Sequence, residues 1–174
     1  MSNELIRIGV VGDTHFERLD DGLDFFSGLF AGVFADVDLV LHTGDIVHPD
    51  LLTAVTARPI LAVRGNCDAA ADTLPSQRIV ERAGYRLGLI HGWGGTADLE
   101  HRVLNAFGHE PLSAVIYGHS HFPVCRRERN LLLVNPGSPT DRRQAPFHSV
   151  ALLSLGRRLS GQIVNLDTWS RNKN

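Results

Sequence analysis

Only two cysteines, Cys67 and Cys125, occur in the 174 residues. Two are too few for a disulfide framework, so the fold has to rest on its apolar core, and a reducing cytoplasm is the expected setting. No apolar run approaches the length of a membrane span, and Met1-Ser2-Asn3-Glu4 carries no basic n-region before an apolar stretch, which argues against a signal peptide. Excess charge is lacking too: 17 Lys and Arg stand against 19 Asp and Glu, a formal net charge of −2. That balance gives no strong signal for nucleic acid and none for an anionic membrane as partner. Repeats, low-complexity tracts and linker-like composition are also missing. One domain over residues 1–169, followed by a polar tail over 170–174, is therefore expected, and its 43% hydrophobic content suits a self-sufficient core.

Histidine, by contrast, is plentiful, with nine in the chain. Four of them fall in a series of short motifs that each follow an apolar run: Asp13-Thr14-His15, Gly44-Asp45, Gly65-Asn66, His91-Gly92 and Gly118-His119-Ser120-His121. Leu5 to Val11, Val37 to Leu41 and Ile60 to Val63 read as buried strands. Between them lie a helix over Gly22 to Ala35, capped by Asp20 and Asp21, and a helix opening at Pro49 that carries Leu51, Leu52 and Val55. This β-α-β-α-β order predicts a parallel sheet with right-handed crossovers. Arg78 to Arg82 and Tyr85 to Ile90 flank Ala83-Gly84 as a hairpin. Thr96 is the expected cap of a helix bearing Leu99, Val103 and Phe107, with Gly108 as its stop. Ala114 to Tyr117, Val124 to Arg127, Leu131 to Val134, Ser149 to Leu155 and Gln162 to Leu166 are further strands. So many strands with few helices predict two sheets packed face to face with helices outside.

The motif residues then share one edge of the fold, just past the carboxyl ends of strands, where open α/β sheets bind ligands. The two-residue spacing of Asp13 and His15, and of His119 and His121, would aim each pair to one side in extended backbone. Oxygen donors from Asp and Asn mixed with imidazole suit Mn²⁺, Fe²⁺ or Zn²⁺. Two divalent ions carry four positive charges, of which two carboxylates and a bridging hydroxide cancel three. The surplus favours an anionic phosphate ester, and the ions draw the pKa of water from ~15.7 towards ~7.

With these residues in hand, the chain resembles the calcineurin-like metallophosphoesterase superfamily. Within it, the chain is similar to the small bacterial and archaeal phosphodiesterase group, which shares its fold with a retromer subunit. The order D-x-H, G-D, G-N-C-D, H-G, G-H-S-H and N-P-G-S carries the likeness from Leu5 to about Leu166. The resemblance implies a four-layer α/β/β/α sandwich. It implies that Asp13, His15 and His121 hold one metal, that Asn66, His91 and His119 hold a second, and that Asp45 bridges them. Two divalent ions are the expected cofactor, Mn first, with Fe, Zn, Ni and Mg as alternatives. The expected function is hydrolysis of small phosphodiesters by a two-metal-activated hydroxide, with Asp45, Asn66 and His119 in catalytic roles. A phosphomonoesterase, a cyclic-nucleotide phosphodiesterase and a non-catalytic interaction module are the rival readings. With no cap domain, the cleft should be open and shallow.

One position departs from many superfamily members. They carry His after the Gly-Asn pair where this chain has Cys67, whose thiol cannot serve as a cationic hydrogen-bond donor. Cys67 reads equally as a support to the site or as packing beside it. Asp68 reads as site support or as the N-cap of a helix over Ala69 to Ala71. Asn135 and Ser138, in the Asn135-Pro136-Gly137-Ser138-Pro139 loop, could bond a metal ligand or substrate. Arg142 is the candidate phosphate grip, with Arg143 beside it and Arg64 of similar standing. His42 reads as structural, His48 and His148 as within reach of the cleft, and His101 and His109 as surface residues. Phe25, Leu29 and Phe34 widen the apolar face of the first helix, which points to a thick core contact or a homo-oligomer interface.

Overall fold

The computed structural model describes residues 5–68 and 73–169. The helix expected over Ala69 to Ala71 and the polar tail fall outside them. Strand β1 (Ile6–Val11) leads through α1 (Leu19–Phe30) to β2 (Leu39–His42), and α2 (Leu51–Ala54) leads to β3 (Ile60–Ala62). Strands β1 to β3 are mutually parallel, as the alternating pattern requires. Next come the antiparallel hairpin of β4 (Gln77–Arg82) and β5 (Tyr85–Ile90), then α3 (Leu99–Ala106) and β6 (Ala114–Ile116). The chain closes with β7 (Val124–Glu128), β8 (Leu131–Asn135), β9 (Ser149–Leu155), β10 (Leu159–Asn165) and α4 (Leu166–Trp169). Two mixed five-stranded sheets result, ordered β10-β9-β1-β2-β3 and β4-β5-β6-β8-β7.

Three apolar layers account for the stacking. Ile8, Val10, Leu41, Leu87, Leu89, Ile116, Val134 and Leu153 meet between the sheets. On the outer face of the first sheet, Val11, Val40 and Val150 pack against Phe26, Leu29 and Leu51 from α1 and α2. On the outer face of the second, Val115, Tyr117 and Leu133 pack against Leu99, Val103 and Phe107 of α3 and its end. The architecture is therefore the four-layer α/β/β/α sandwich. Strand alternation does this work, since neighbouring residues face opposite layers: Val10 lies in the inter-sheet core and Val11 under the helices.

Helix limits differ from expectation. Asp20 and Asp21 do not cap α1; they sit in its first turn, complementing the macrodipole, while Arg18 takes the extended cap position. The helix ends at Phe30 because Ala31 to Asp36 turn back so that Phe34 is buried against the sheet. The α2 helix is a single turn, stopped where Val55 becomes extended. Asp98, not Thr96, precedes α3, and Thr96 contributes only its carbonyl, accepting from the Leu99 N–H at 3.3 Å. Leu29 and Phe34 are buried and Phe25, partly buried, packs on the same cluster, so this face makes the thick core contact.

Candidate metal centre

Every motif emerges where a strand ends. Asp13 and His15 follow β1, Asp45 follows β2, Asn66 follows β3, His91 follows β5, and His119 and His121 follow β6. The first sheet thus supplies Asp13, His15, Asp45 and Asn66, and the second supplies the other three histidines. The backbone at these exits is not extended. Asp13, His15, Asp45, His119 and His121 have φ of 50°, 47°, 56°, 70° and 60°. The left-handed region costs a non-glycine residue about 1–3 kcal/mol, so tertiary bonds must hold it. Asp13 N–H donates to the Gly44 carbonyl and His15 N–H to the Asp45 carbonyl, both at 3.0 Å. His119 N–H donates to both oxygens of Asp13, at 3.2 and 3.1 Å. There is no spare volume where the turns cross: a Cβ on Gly65 would lie 2.2 Å from Asp45 Oδ1, and one on Gly118 2.9 Å from Asp13 Oδ2.

The side chains converge in two groups. Asp13, His15 and His121 bring one ligand atom each within 4.8 Å of one another. In the second group, Asn66 Oδ1 lies 3.0 Å from His91 Nε2 and 2.9 Å from His119 Nδ1. Asp45 stands between the groups, its Oδ2 3.7 Å from His15 Nε2 and 3.4 Å from His91 Nε2.

Tautomers show what these atoms need. His91 Nδ1 donates to the Thr43 carbonyl at 2.9 Å, which directs Nε2 at Asn66 Oδ1; burial lowers the ring's pKa, but the Asp45 bond and the Asp13 and Asp45 charges raise it overall. His119 Nε2 donates to the Gly94 carbonyl at 2.8 Å, so its Nδ1 lone pair meets Asn66 Oδ1. His121 Nδ1 donates to the Asp141 carbonyl, and its Nε2 faces His15 Nε2 at 3.2 Å. Such contacts need a proton or a cation between them: a neutral His15 protonated at Nε2 can donate to His121, while His119 Nδ1 and Asn66 Oδ1 meet as acceptors. Divalent cations satisfy all three contacts together, and the carbonyls that fix the ring orientations are the outer contacts metal-binding histidines use. The donor set therefore fits metal ions.

Charge is concentrated here as well. Burial lifts the Asp13 carboxyl to about 7, with His91 pulling it down and Asp45 pushing it further up. Asp45 is also penalised by burial, yet the bond and charge of His91 and the Cys67 N–H hold it below the ordinary carboxylate range. Burial pushes His121 down, and pushes His42 down to about 4. His42 is thus a neutral structural residue, accepting from Gly44 N–H at 3.1 Å and donating to Thr14 Oγ1 at 3.2 Å.

Around the donors, Asp68 accepts four backbone N–H groups, from Asp45, Ile46, Val47 and Gly65, at 2.7 to 2.9 Å. Cys67 is exposed, so it is not packing. Its N–H donates to Asp45 Oδ1 at 2.8 Å, while partial burial and the Asp45 charge raise its thiol pKa. Asn135 and Ser138 are fully buried and bond the loops that carry the donors, Asn135 also donating to Ser120 Oγ at 3.0 Å. Asn135 Nδ2 donates to the Gly118 carbonyl at 3.0 Å, and Ser138 Oγ donates to the Asp13 carbonyl at 2.7 Å. Arg142 turns back onto the Ala145 carbonyl at 2.6 Å, whereas Arg143 extends its guanidinium to the His119 carbonyl at 3.4 Å. His148 pairs with Asp167 at 2.9 Å on α4. Thr43, Gly94 and Asp141 escape a reading of the sequence because they act through carbonyls, and of the two arginines it is Arg143, not the favoured Arg142, that reaches a candidate ligand.

A family model described as the calcineurin-like phosphoesterase superfamily domain matches residues 6–158. The chain belongs to that superfamily. A probable metallophosphoesterase of Methanothermobacter thermautotrophicus is 37% identical over 164 residues, covering 90% of this chain and 91% of the relative. A solved archaeal phosphodiesterase shares the fold with TM-score 0.72 and 20% identity, over 92% of this chain and all (100%) of that one. Vps29 of Entamoeba histolytica, solved in complex with Zn²⁺, superposes with TM-score 0.63 at 19% identity, over 92% of this chain and 99% of its own. As a superfamily member with clustered potential metal ligands, the chain is placed among the phosphoesterases, a hydrolase class. Among the described residues no helix is long and apolar enough to cross a membrane.

Proposed function

We propose that this phosphoesterase hydrolyses phosphodiesters at a two-metal centre, with Mn²⁺ the first choice of ion. The observation that carries the reading is the convergence of Asp13, His15 and His121 in one group and Asn66, His91 and His119 in another, with Asp45 between them. Asp13, His15 and His121 would hold one ion, Asn66, His91 and His119 the other, and Asp45 both. When bound, the ions supply water of lowered pKa and positive charge against phosphate oxygens. The protein's own part is positional. Backbone carbonyls of Thr43, Gly94 and Asp141 set three imidazoles, and the Asp68 carboxylate sets the turn that carries Asp45. His119 has both ring nitrogens engaged, Nδ1 towards Asn66 and Nε2 on the Gly94 carbonyl, so its part would be to hold an ion rather than to bond the phosphate directly. The solved archaeal phosphodiesterase of the same fold and the presence of all seven expected donors favour diester cleavage over an interaction role.

The test is to strip the protein with chelator, reload it with Mn²⁺, and compare bis(p-nitrophenyl) phosphate with p-nitrophenyl phosphate, alongside His119→Ala. Metal-dependent diester cleavage lost in the variant is the expected result. Preference for the monoester would move the activity to phosphatase, and absence of both turnover and metal uptake would overturn the reading.

A further inference from the structure

A cavity of about 490 Å³ opens beside the metal centre, between the start of α3 and the segment joining β6 to β7. It adjoins the centre through two residues. Ser120, between the candidate ligands His119 and His121, lines it, and so does Arg143, whose guanidinium touches the His119 carbonyl. Its volume falls in the range that holds a small organic ligand, about 300–1,000 Å³.

Its walls divide by chemistry. Phe122 lines one side and is 49% exposed, one of three large hydrophobic residues left open among the described residues. A half-open phenyl ring within a cavity offers a face for another flat ring. Leu99 and Val124 continue the apolar wall, and Glu100 brings a polar edge. The Glu100 carboxylate is fixed there by the Tyr117 hydroxyl and the Arg126 guanidinium. Arg143, which touches the backbone of the candidate ligand His119, is the group suited to a phosphate oxygen. The lining thus combines a guanidinium beside the donors, an aromatic face and a polar edge.

We propose that this cavity seats a flat-ring ester group of the diester, stacked on Phe122, so that the preferred substrates are aryl or nucleoside phosphodiesters rather than alkyl ones. This rests on the diesterase reading above and names its substrate class. Phe122 is then a specificity-determining residue, and the cleft is selective on one side of phosphorus.

Three diesters with a common p-nitrophenolate leaving group test it: thymidine 5′-(p-nitrophenyl), phenyl p-nitrophenyl and ethyl p-nitrophenyl phosphate. The ratio of kcat/KM for the ring esters to that for the ethyl ester should exceed unity and fall about tenfold in Phe122→Ala, the scale of stacking on one aromatic side chain. Phe122→Tyr should restore it. Thymidine ahead of phenyl identifies a nucleoside ligand; parity identifies any aryl group. Calorimetric titration of thymidine 5′-monophosphate into chelator-treated protein gives a readout independent of turnover, with binding expected in wild type and weakened in Phe122→Ala. Metal-dependent cleavage with a ratio unchanged by Phe122→Ala would overturn the proposal and leave the diesterase reading intact. No cleavage of any ester, with the nucleotide bound in wild type and lost in the variant, would overturn the diesterase reading and keep the ring site. No cleavage and no binding would overturn both.

Discussion

Asp68→Asn should be far more damaging than so small a change suggests. Asp68 is 3% exposed and makes no contact with the open cleft. Its Oδ1 accepts the N–H groups of Ile46 and Val47, at 2.7 and 2.8 Å, and its Oδ2 those of Asp45 and Gly65, at 2.9 and 2.8 Å. An asparagine of the same shape must present its NH₂ to one of these pairs, whichever way the amide turns. Two charge-assisted bonds are then replaced by opposed donors. At about 1.5–3 kcal/mol per bond to a charged acceptor, the lower bound is a loss of about 3 kcal/mol. For a protein of this size Tm moves by roughly 2–4 °C per kcal/mol, so a fall of about 6–12 °C is expected. Asp45 and Val47 have φ of 56° and 68°, and the clamp helps hold both there, so Mn²⁺ affinity should fall as well. Thermal unfolding by circular dichroism in chelator measures the first effect and calorimetric Mn²⁺ titration the second. Asp36→Asn, whose side chain is 80% exposed, is the control. A Tm fall below about 2 °C with unchanged Mn²⁺ uptake would refute the clamp.

Removing the shared carboxylate with Asp45→Ala should abolish both metal loading and turnover; near-normal rates in a metal-quantified sample would sink the bridging role. Chelation should lower Tm of the wild type, since free ion at 100 times its dissociation constant stabilises by about 2.7 kcal/mol. A melting curve indifferent to chelator and to added Mn²⁺ would contradict a metal centre in the folded state. Gly118→Ala places a Cβ 2.5 Å from Thr43 Oγ1 and 2.9 Å from Asp13 Oδ2. Overpacking of this kind costs about 1–3 kcal/mol. The variant should melt lower and bind Mn²⁺ more weakly, and wild-type values for both would show that the turns can part.

Much of this architecture is legible in the chain because apolar alternation and residue type act locally. The β-branched runs ending at Val11, His42 and Ala62 locate three parallel strands, and Asp or His beside Gly locates the donors that follow them. Backbone conformation at those donors is not legible. Nothing in Asp13 or His119 as residue types demands positive φ; the demand comes from bonds to Gly44 and Asp13, distant in sequence. Asp68 illustrates the same limit, since an Asp before three small residues looks like a helix cap until the turns at Asp45 and Gly65 are brought to it. Arg142 and Arg143 are indistinguishable in sequence, and only the left-handed turn at Arg143, with φ of 48°, sends one inward and the other back on its own loop.

The order of strands has a consequence for how the protein is made. β1 lies between β2 and β9, yet β9 begins only at Ser149. While the chain is being synthesised from its N-terminus, β1 has one edge open through almost all of the process. The same strand carries Asp13 and His15, and the Ser138 hydroxyl that tethers the Asp13 carbonyl belongs to the loop leading to β9. Candidate donors from Asp13 to His121, and the later Ser138 tether, must therefore all be made before the cluster is complete. Ion capture becomes a late event in biogenesis, a seal on the completed molecule rather than a seed for its folding.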